Sequence, residues 1–166
     1  MIVVVTGVAG AGKSTIGSRL AKRLGWTYLE ADDFHPPANR RKMERGIPLT
    51  DDDRGPWLDA LERAIRTARN EAIVSCSCLR RRYRDRLRVP GLEVRFVHLR
   101  VDRETAKRRT RERTGHFFEP ALVDSQFETL EEPTRAVTLD ATRPVQEVVR
   151  EVIERLGLED PPHPAL

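Results

Sequence analysis

Ile2-Val3-Val4-Val5-Thr6 runs directly into Gly7-Val8-Ala9-Gly10-Ala11-Gly12-Lys13-Ser14-Thr15, and this junction decides the fold. The second stretch fits G-x-x-x-x-G-K-[ST], a loop that wraps the phosphates of a nucleoside triphosphate. Its three glycines let successive backbone N–H groups curl around a phosphate, Lys13 carries a point charge to the β and γ oxygens, and Ser14 offers a hydroxyl to Mg²⁺. Gly7, Gly10, Ala11, Gly12, Lys13, Ser14 and Thr15 are therefore the candidate nucleotide-binding residues. A glycine-rich turn with a chance lysine is the alternative, and the flanking sequence argues against it. A β-branched run feeds the loop, and Ile16, Leu20 and Leu24 recur every four residues after it, up to Gly25. Such a helix points its N-terminus at the phosphates, where unpaired N–H groups and the helix dipole favour negative charge.

Further apolar runs at 27–30, 72–76, 94–99 and 137–140 read as strands, and helical patterns fill the gaps. Trp57, Leu58, Leu61, Ile65 and Ala68 share one face of a helix expected over 51–70, capped by Asp52 or Asp53. Val145, Val148, Val149, Val152, Ile153 and Leu156 are in phase along the last helix, with Pro144 near its start and Gly157 after it. Strand and helix alternation of this kind implies βαβ crossovers. The expected fold is α/β, a three-layer phosphate-loop kinase fold with a central parallel sheet of about five strands, helices on both faces and a mobile lid. One domain over 1–166 suits the length, with a lid at about 103–120 and a frayed proline-rich tail at 159–166.

The chain carries 30 basic against 26 acidic residues, a net charge of +4. That balance suits anionic small molecules or nucleic acid, although interspersed charges also describe a solvated surface. Cys76 and Cys78, the only cysteines, are expected as buried free thiols on one face of a strand rather than as a disulfide or metal site. No apolar run approaches the ~18 residues of a membrane span, and the start shows no signal-peptide pattern. A cytoplasmic, soluble protein without a membrane or nucleic-acid partner is the expectation.

One helix departs from the core pattern. Residues 102–113 carry Arg103, Lys107, Arg108, Arg109, Arg111 and Arg113 with few apolar positions. A solvated helix laced with Glu104 and Glu112 and a lid whose arginines close over phosphates both satisfy that pattern. Arg109 and Arg113, four residues apart, share a face.

Phosphoryl transfer needs an acceptor held in line, positive charge on the transferring group, and a carboxylate near the acceptor hydroxyl. Glu30, Asp32 and Asp33 follow the second strand at its C-terminal end, where ligands bind in open α/β sheets. If the strand persists, Glu30 and Asp32 share a face, one for metal-bound water and the other for the acceptor.

Beyond them, Asp32, Phe34, His35, Pro36, Asn39, Lys42 and Met43 fit G-D-x-[LF]-H-P-x-x-N-x-x-K-M, and 46–58 fit G-x-P-L-x-D-x-D-R-x-P-W-L without a gap. Tyr83-Arg84-Asp85, Gly115-His116-Phe117 and Gln126-Phe127 with Thr129-Leu130-Glu131-Glu132-Pro133 continue in order. The chain thus resembles the gluconokinase family, similar in fold to shikimate kinase and the adenylate kinase group, over roughly residues 2 to 156. The resemblance implies ATP-dependent phosphorylation of D-gluconate at its 6-hydroxyl, giving 6-phospho-D-gluconate and ADP. It implies Lys13, Asp32 and Arg109 as catalytic residues, Asp32 as the base. Arg109, Arg113 and Arg143 would bind nucleotide; His35, Lys42, Arg54, Arg84, His116 and Gln126, with Asp32, would hold the acceptor. Ser14 and Glu30 would serve Mg²⁺, and the resemblance further implies a homodimer. Glu30-Ala31 stands where the family has Asp-Gly, Cys78 replaces Ala, Arg80 replaces Lys and Thr114 replaces Lys. A kinase for another sugar acid or polyol is the second reading. A nucleotide-dependent nucleic-acid binder is the third, and the scarcity of aromatic residues among the basic ones counts against it.

Overall fold

The computed structural model describes residues 1–68, 71–113 and 120–159. Strands β1 (Ile2–Thr6), β2 (Thr27–Glu30), β3 (Ala72–Ser75), β4 (Val94–Arg100) and β5 (Val137–Asp140) form one sheet in the order β2-β3-β1-β4-β5. Every pairing is parallel. β1 is central and wholly buried. Its side chains alternate between two cores: Val3 and Val5 join Ile73 and Val97 on one side, while Ile2 and Val4 join Val74 and Phe96 on the other. A strand covered on both faces has no polar side to show, which is why this run is uninterrupted.

Helices α1 (Lys13–Leu24) and α7 (Val145–Leu156) cover the first core through Ile16, Leu20, Val148 and Val152. Ala106 of α5 (Arg103–Glu112) and Val123 of α6 (Pro120–Thr129) join them. Leu58, Leu61 and Ile65 of α3 (Asp51–Ala68) and Tyr83 of α4 (Arg81–Arg86) cover the second core. Burying side chains of this size contributes about 1.5–3 kcal/mol each. A 3-10 turn at Ala31–Phe34 and helix α2 (Pro37–Glu44) connect β2 to α3. Gly25 and Gly157 end α1 and α7 in the left-handed conformation, as expected.

Several expectations need correction. Thr50, not Asp52 or Asp53, caps α3: its Oγ1 accepts from the Asp53 N–H at 3.2 Å, and the Asp53 carboxylate accepts from the Thr50 N–H at 2.8 Å. Asp53 stands three residues into the helix, so its side chain reaches back instead of standing at the entrance. β2 ends at Glu30, as its expected range has it, and the condition for Glu30 and Asp32 to share a strand face is not met, since the chain turns at Ala31, whose carbonyl accepts from Trp57 Nε1 at 2.7 Å. β3 ends at Ser75, one residue early, although the Cys76 N–H still donates to the Val5 carbonyl. Cys76 and Cys78 are buried free thiols. Residues 69–70, 114–119 and 160–166 lie outside the described residues, including the expected end of α3, much of the expected lid, and nearly all of the tail. Among the described residues no helix is long and apolar enough to cross a membrane.

Candidate active site

The glycine-rich loop spans the gap between β1 and α1, at the C-terminal edge of the sheet. The Ile16 N–H makes the first helical bond, to the Gly12 carbonyl at 2.9 Å, so the N–H groups of Lys13, Ser14 and Thr15 precede the helical ladder and suit an anion. Gly10, at φ +80°, lies so close to α5 that a Cβ there would stand 2.4 Å from the Ala106 carbonyl oxygen. Lys13 Nζ donates to the Val8 carbonyl at 3.1 Å. Burial lowers the Lys13 pKa, while the carboxylates of Asp32 and Glu30 pull it the other way. A bound phosphate would add to that pull.

Two cavities meet at this loop. On one side Gly10, Gly12, Thr15, Arg109, Arg113 and Arg143 line a cleft of about 250 Å³, with Ala11 and Ala141. On the other, Lys13, Glu30, Asp32, His35, Arg54 and Gln126 line a cavity of about 400 Å³. Gly10, Ala11, Gly12 and Thr15 line the first and Lys13 lines the second. A nucleotide in the cleft would present its terminal phosphate toward a bound acceptor, the arrangement that direct phosphoryl transfer requires.

A family described as an AAA domain matches residues 2–138. Gluconokinase from Gluconobacter oxydans is 40% identical over 95% of this chain and 92% of its own length. The crystal structure of a gluconokinase from Sinorhizobium meliloti superposes with a TM-score of 0.83 at 46% identity, covering 93% of this chain and 90% of that one. The chain belongs to the gluconokinase family. Shikimate kinase from Aquifex aeolicus shares the fold alone, with a TM-score of 0.62 at 16% identity over 95% of this chain and 96% of that one.

Within this gluconokinase-family site, a chain of contacts runs from the core to Asp32. Trp57, buried in the second core, stacks on His35 with ring centroids 4.5 Å apart. His35 Nδ1 lies 3.2 Å from the Asn39 amide nitrogen, which also donates to the Asp53 carbonyl at 2.8 Å. An amide nitrogen only donates, so Nδ1 accepts and the proton of the neutral ring is on Nε2, 3.9 Å from Asp32 Oδ1. Burial first, then Arg40 and Arg54, push the His35 pKa down to about 4, so the ring is neutral at pH 7. Glu30 accepts from the Tyr28 hydroxyl at 2.7 Å. Arg54 Nη1 donates to the Leu49 carbonyl at 2.5 Å, and its guanidinium lies over the Tyr83 ring. The Gln126 carboxamide oxygen accepts from the Ala9 N–H at 2.7 Å.

Not every residue implied by the resemblance reaches a cavity. Lys42 is held by Asp53 at 2.7 Å, which, with Thr50, lowers the Asp53 pKa to about 2. Arg84 is buried and donates to the carbonyls of Cys78 and Leu79. Neither lines the acceptor cavity. Both tie chain segments together. His116 lies outside the described residues. Arg143 borders the nucleotide cleft, with its guanidinium paired to Glu147 at 3.2 Å and to Glu151.

The charged positions of α5 divide between ion pairs with neighbouring side chains and the lining of the cleft. Arg103 and Lys107 each reach Asp124 of α6 at 2.8 Å, and Arg108 pairs with Glu112 on the exposed side. Arg109 and Arg113 face the cleft, Arg109 Nη1 lying 3.4 Å from the Gly10 carbonyl. Small residues make the close approach possible: Ala106 and Thr110 are the buried face of α5.

Sequence reasoning missed Arg40. Its guanidinium donates to the carbonyls of Asp33 and His35, clasping the turn that carries Asp32, and it lines the acceptor cavity. Its position on α2 among other basic residues gave no signal. Ser77, Leu122 and Ser125 also line that cavity.

Proposed function

We propose that this protein transfers the γ-phosphoryl group of ATP to the primary 6-hydroxyl of D-gluconate, giving 6-phospho-D-gluconate and ADP. The observation that carries the reading is that the phosphate-loop motif contributes to both cavities, its glycines lining one together with Arg109, Arg113 and Arg143 and Lys13 lining the other together with Asp32. The relatives' printed names supply the acceptor; the polar lining of the second cavity supports it. An open-chain sugar acid offers a carboxylate and a row of hydroxyls, and Arg54, His35, Asp32 and Gln126 provide a cation, donors and an acceptor.

In this reading Asp32 accepts the proton of the 6-hydroxyl as its oxygen bonds to the γ-phosphorus and the bond to the bridging oxygen of ADP breaks. His35, neutral and backed by Trp57, presents its Nε2 proton on the side of Asp32, 3.9 Å from the carboxylate. Lys13, Arg109 and Arg113 neutralise charge on the transferring group. Arg54 is fixed by the Leu49 carbonyl and Tyr83, so it meets a carboxylate without first being ordered. Ser14 and Glu30 provide hard oxygen donors that fit Mg²⁺. Among the described residues no cluster of three or more His, Cys, Asp or Glu could hold a metal alone, as suits an ion bound largely through phosphates and water. When bound, the ion supplies charge neutralisation at the β and γ oxygens.

A coupled ADP-release assay across gluconate, other sugar acids, shikimate and nucleoside monophosphates tests the assignment. Gluconate is expected to exceed every other acceptor by about 10²-fold or more in kcat/KM. Comparable turnover of another acceptor would overturn the substrate, and no turnover of any would overturn the kinase.

A further inference from the structure

Gln126 joins parts of the molecule that are far apart in sequence. Its Oε1 accepts the Ala9 N–H of the phosphate loop at 2.7 Å across 117 residues of chain, and the same side chain lines the acceptor cavity. A backbone N–H only donates, so the carboxamide oxygen must face the loop and Nε2 is directed away from it. No described residue accepts from that Nε2. The helix that carries Gln126 also carries Leu122 and Ser125 into the acceptor cavity and Val123 into the core. Asp124 binds that helix to α5, which backs Gly10 and presents Arg109 and Arg113 to the nucleotide.

We propose that Gln126 positions phosphoryl donor and acceptor on one rigid amide: Oε1 holds the loop in shape through Ala9, and Nε2 donates to the acceptor hydroxyl oxygen. A planar carboxamide with one end fixed has little freedom at the other. An acceptor that binds Nε2 is therefore registered against the loop that holds the phosphates. The inference rests on the kinase reading above and adds the residue that aligns its two substrates.

Gln126→Glu and Gln126→Leu test the two halves separately. The glutamate keeps an oxygen for Ala9 but cannot donate to the acceptor and adds negative charge; the leucine loses both contacts. For Gln126→Glu the expectation is a fall in kcat of about 10²-fold, with KM for ATP within about twofold of wild type. It should also release more ADP than phosphorylated gluconate, because a misaligned acceptor lets water compete. Gln126→Leu is expected to weaken ATP binding by about tenfold as well, the size of one neutral hydrogen bond. Both should melt within a few degrees of wild type. Wild-type kcat in Gln126→Glu would overturn the inference. So would losses in both variants that follow their melting temperatures with one product still formed per ADP. Wild-type protein that phosphorylates no gluconate would remove the kinase reading itself, and the wild-type control separates that result from a fault in Gln126.

Discussion

Replacing Gly10 with Ala tests whether the phosphate loop and α5 act as one unit. At φ +80° an L residue costs about 1–2 kcal/mol from backbone sterics alone. The added Cβ would also stand 2.4 Å from the Ala106 carbonyl oxygen and 2.9 Å from its Cα. Non-bonded heavy atoms settle at about 3.5 Å, so loop and helix must separate by roughly 1 Å. Neither neighbour is the tip of a flexible side chain. Relief therefore moves the loop itself, or moves α5 against its ties to Asp124. Either movement displaces Arg109 and Arg113 from the phosphates, and a misplacement of that size costs about 10²-fold in turnover. Gly91→Ala is the control, with φ +84° and nothing within 4 Å of the added Cβ. It should carry the same conformational cost of about 1–2 kcal/mol in urea unfolding without loss of activity. Coupled ADP release at varied ATP supplies kcat and KM for both. Wild-type kcat/KM for ATP in Gly10→Ala would refute the coupling, as would equal activity losses in the two variants.

Lys13→Ala and Asp32→Asn are each expected to lower kcat by at least about 10²-fold through lost charge stabilisation and lost proton acceptance; near-normal steady-state rates in Asp32→Asn would remove it as the base. Arg54→Ala should raise KM for gluconate while leaving KM for ATP unchanged, whereas Lys42→Ala should lower the melting temperature with little change in either KM. Steady-state kinetics beside thermal melts separate these outcomes, and a selective gluconate defect in Lys42→Ala would reverse the two assignments. His35 has a pKa of about 4 when folded against about 6.5 unfolded, so the unfolded chain binds the extra proton between those values. Its contribution is complete above pH 6.5 and is lost as pH falls toward 4, by at most about 3 kcal/mol. Urea titrations of His35→Gln should show a flatter pH dependence across that window, and an unchanged slope would show that His35 is not its source.

Spacing and chemistry made the sheet, the phosphate loop and the family legible. A β-branched run that is buried on both faces cannot read as anything but a central strand, and G-x-x-x-x-G-K-[ST] fixes a loop by backbone requirement. The same local logic left open whether β2 would continue to Asp32. Nothing near Ala31 in sequence announces that Trp57, 26 residues on, takes its carbonyl. What Lys42 and Arg84 contact in the folded chain was not legible, because a basic side chain in a family motif carries no label for what it holds. Their partners, Asp53 and the carbonyls after β3, become neighbours only when the chain is folded.

The sequence alone determined local conformation and which chemical groups were available, since turn geometry, periodicity and charge are properties of near neighbours along the chain. Tertiary structure decided which of those groups converge. The Ala9–Gln126 bond, the seat of Gly10 on Ala106 and the stack of Trp57 on His35 all depend on contacts between segments distant in the chain, set by how the helices pack on the sheet.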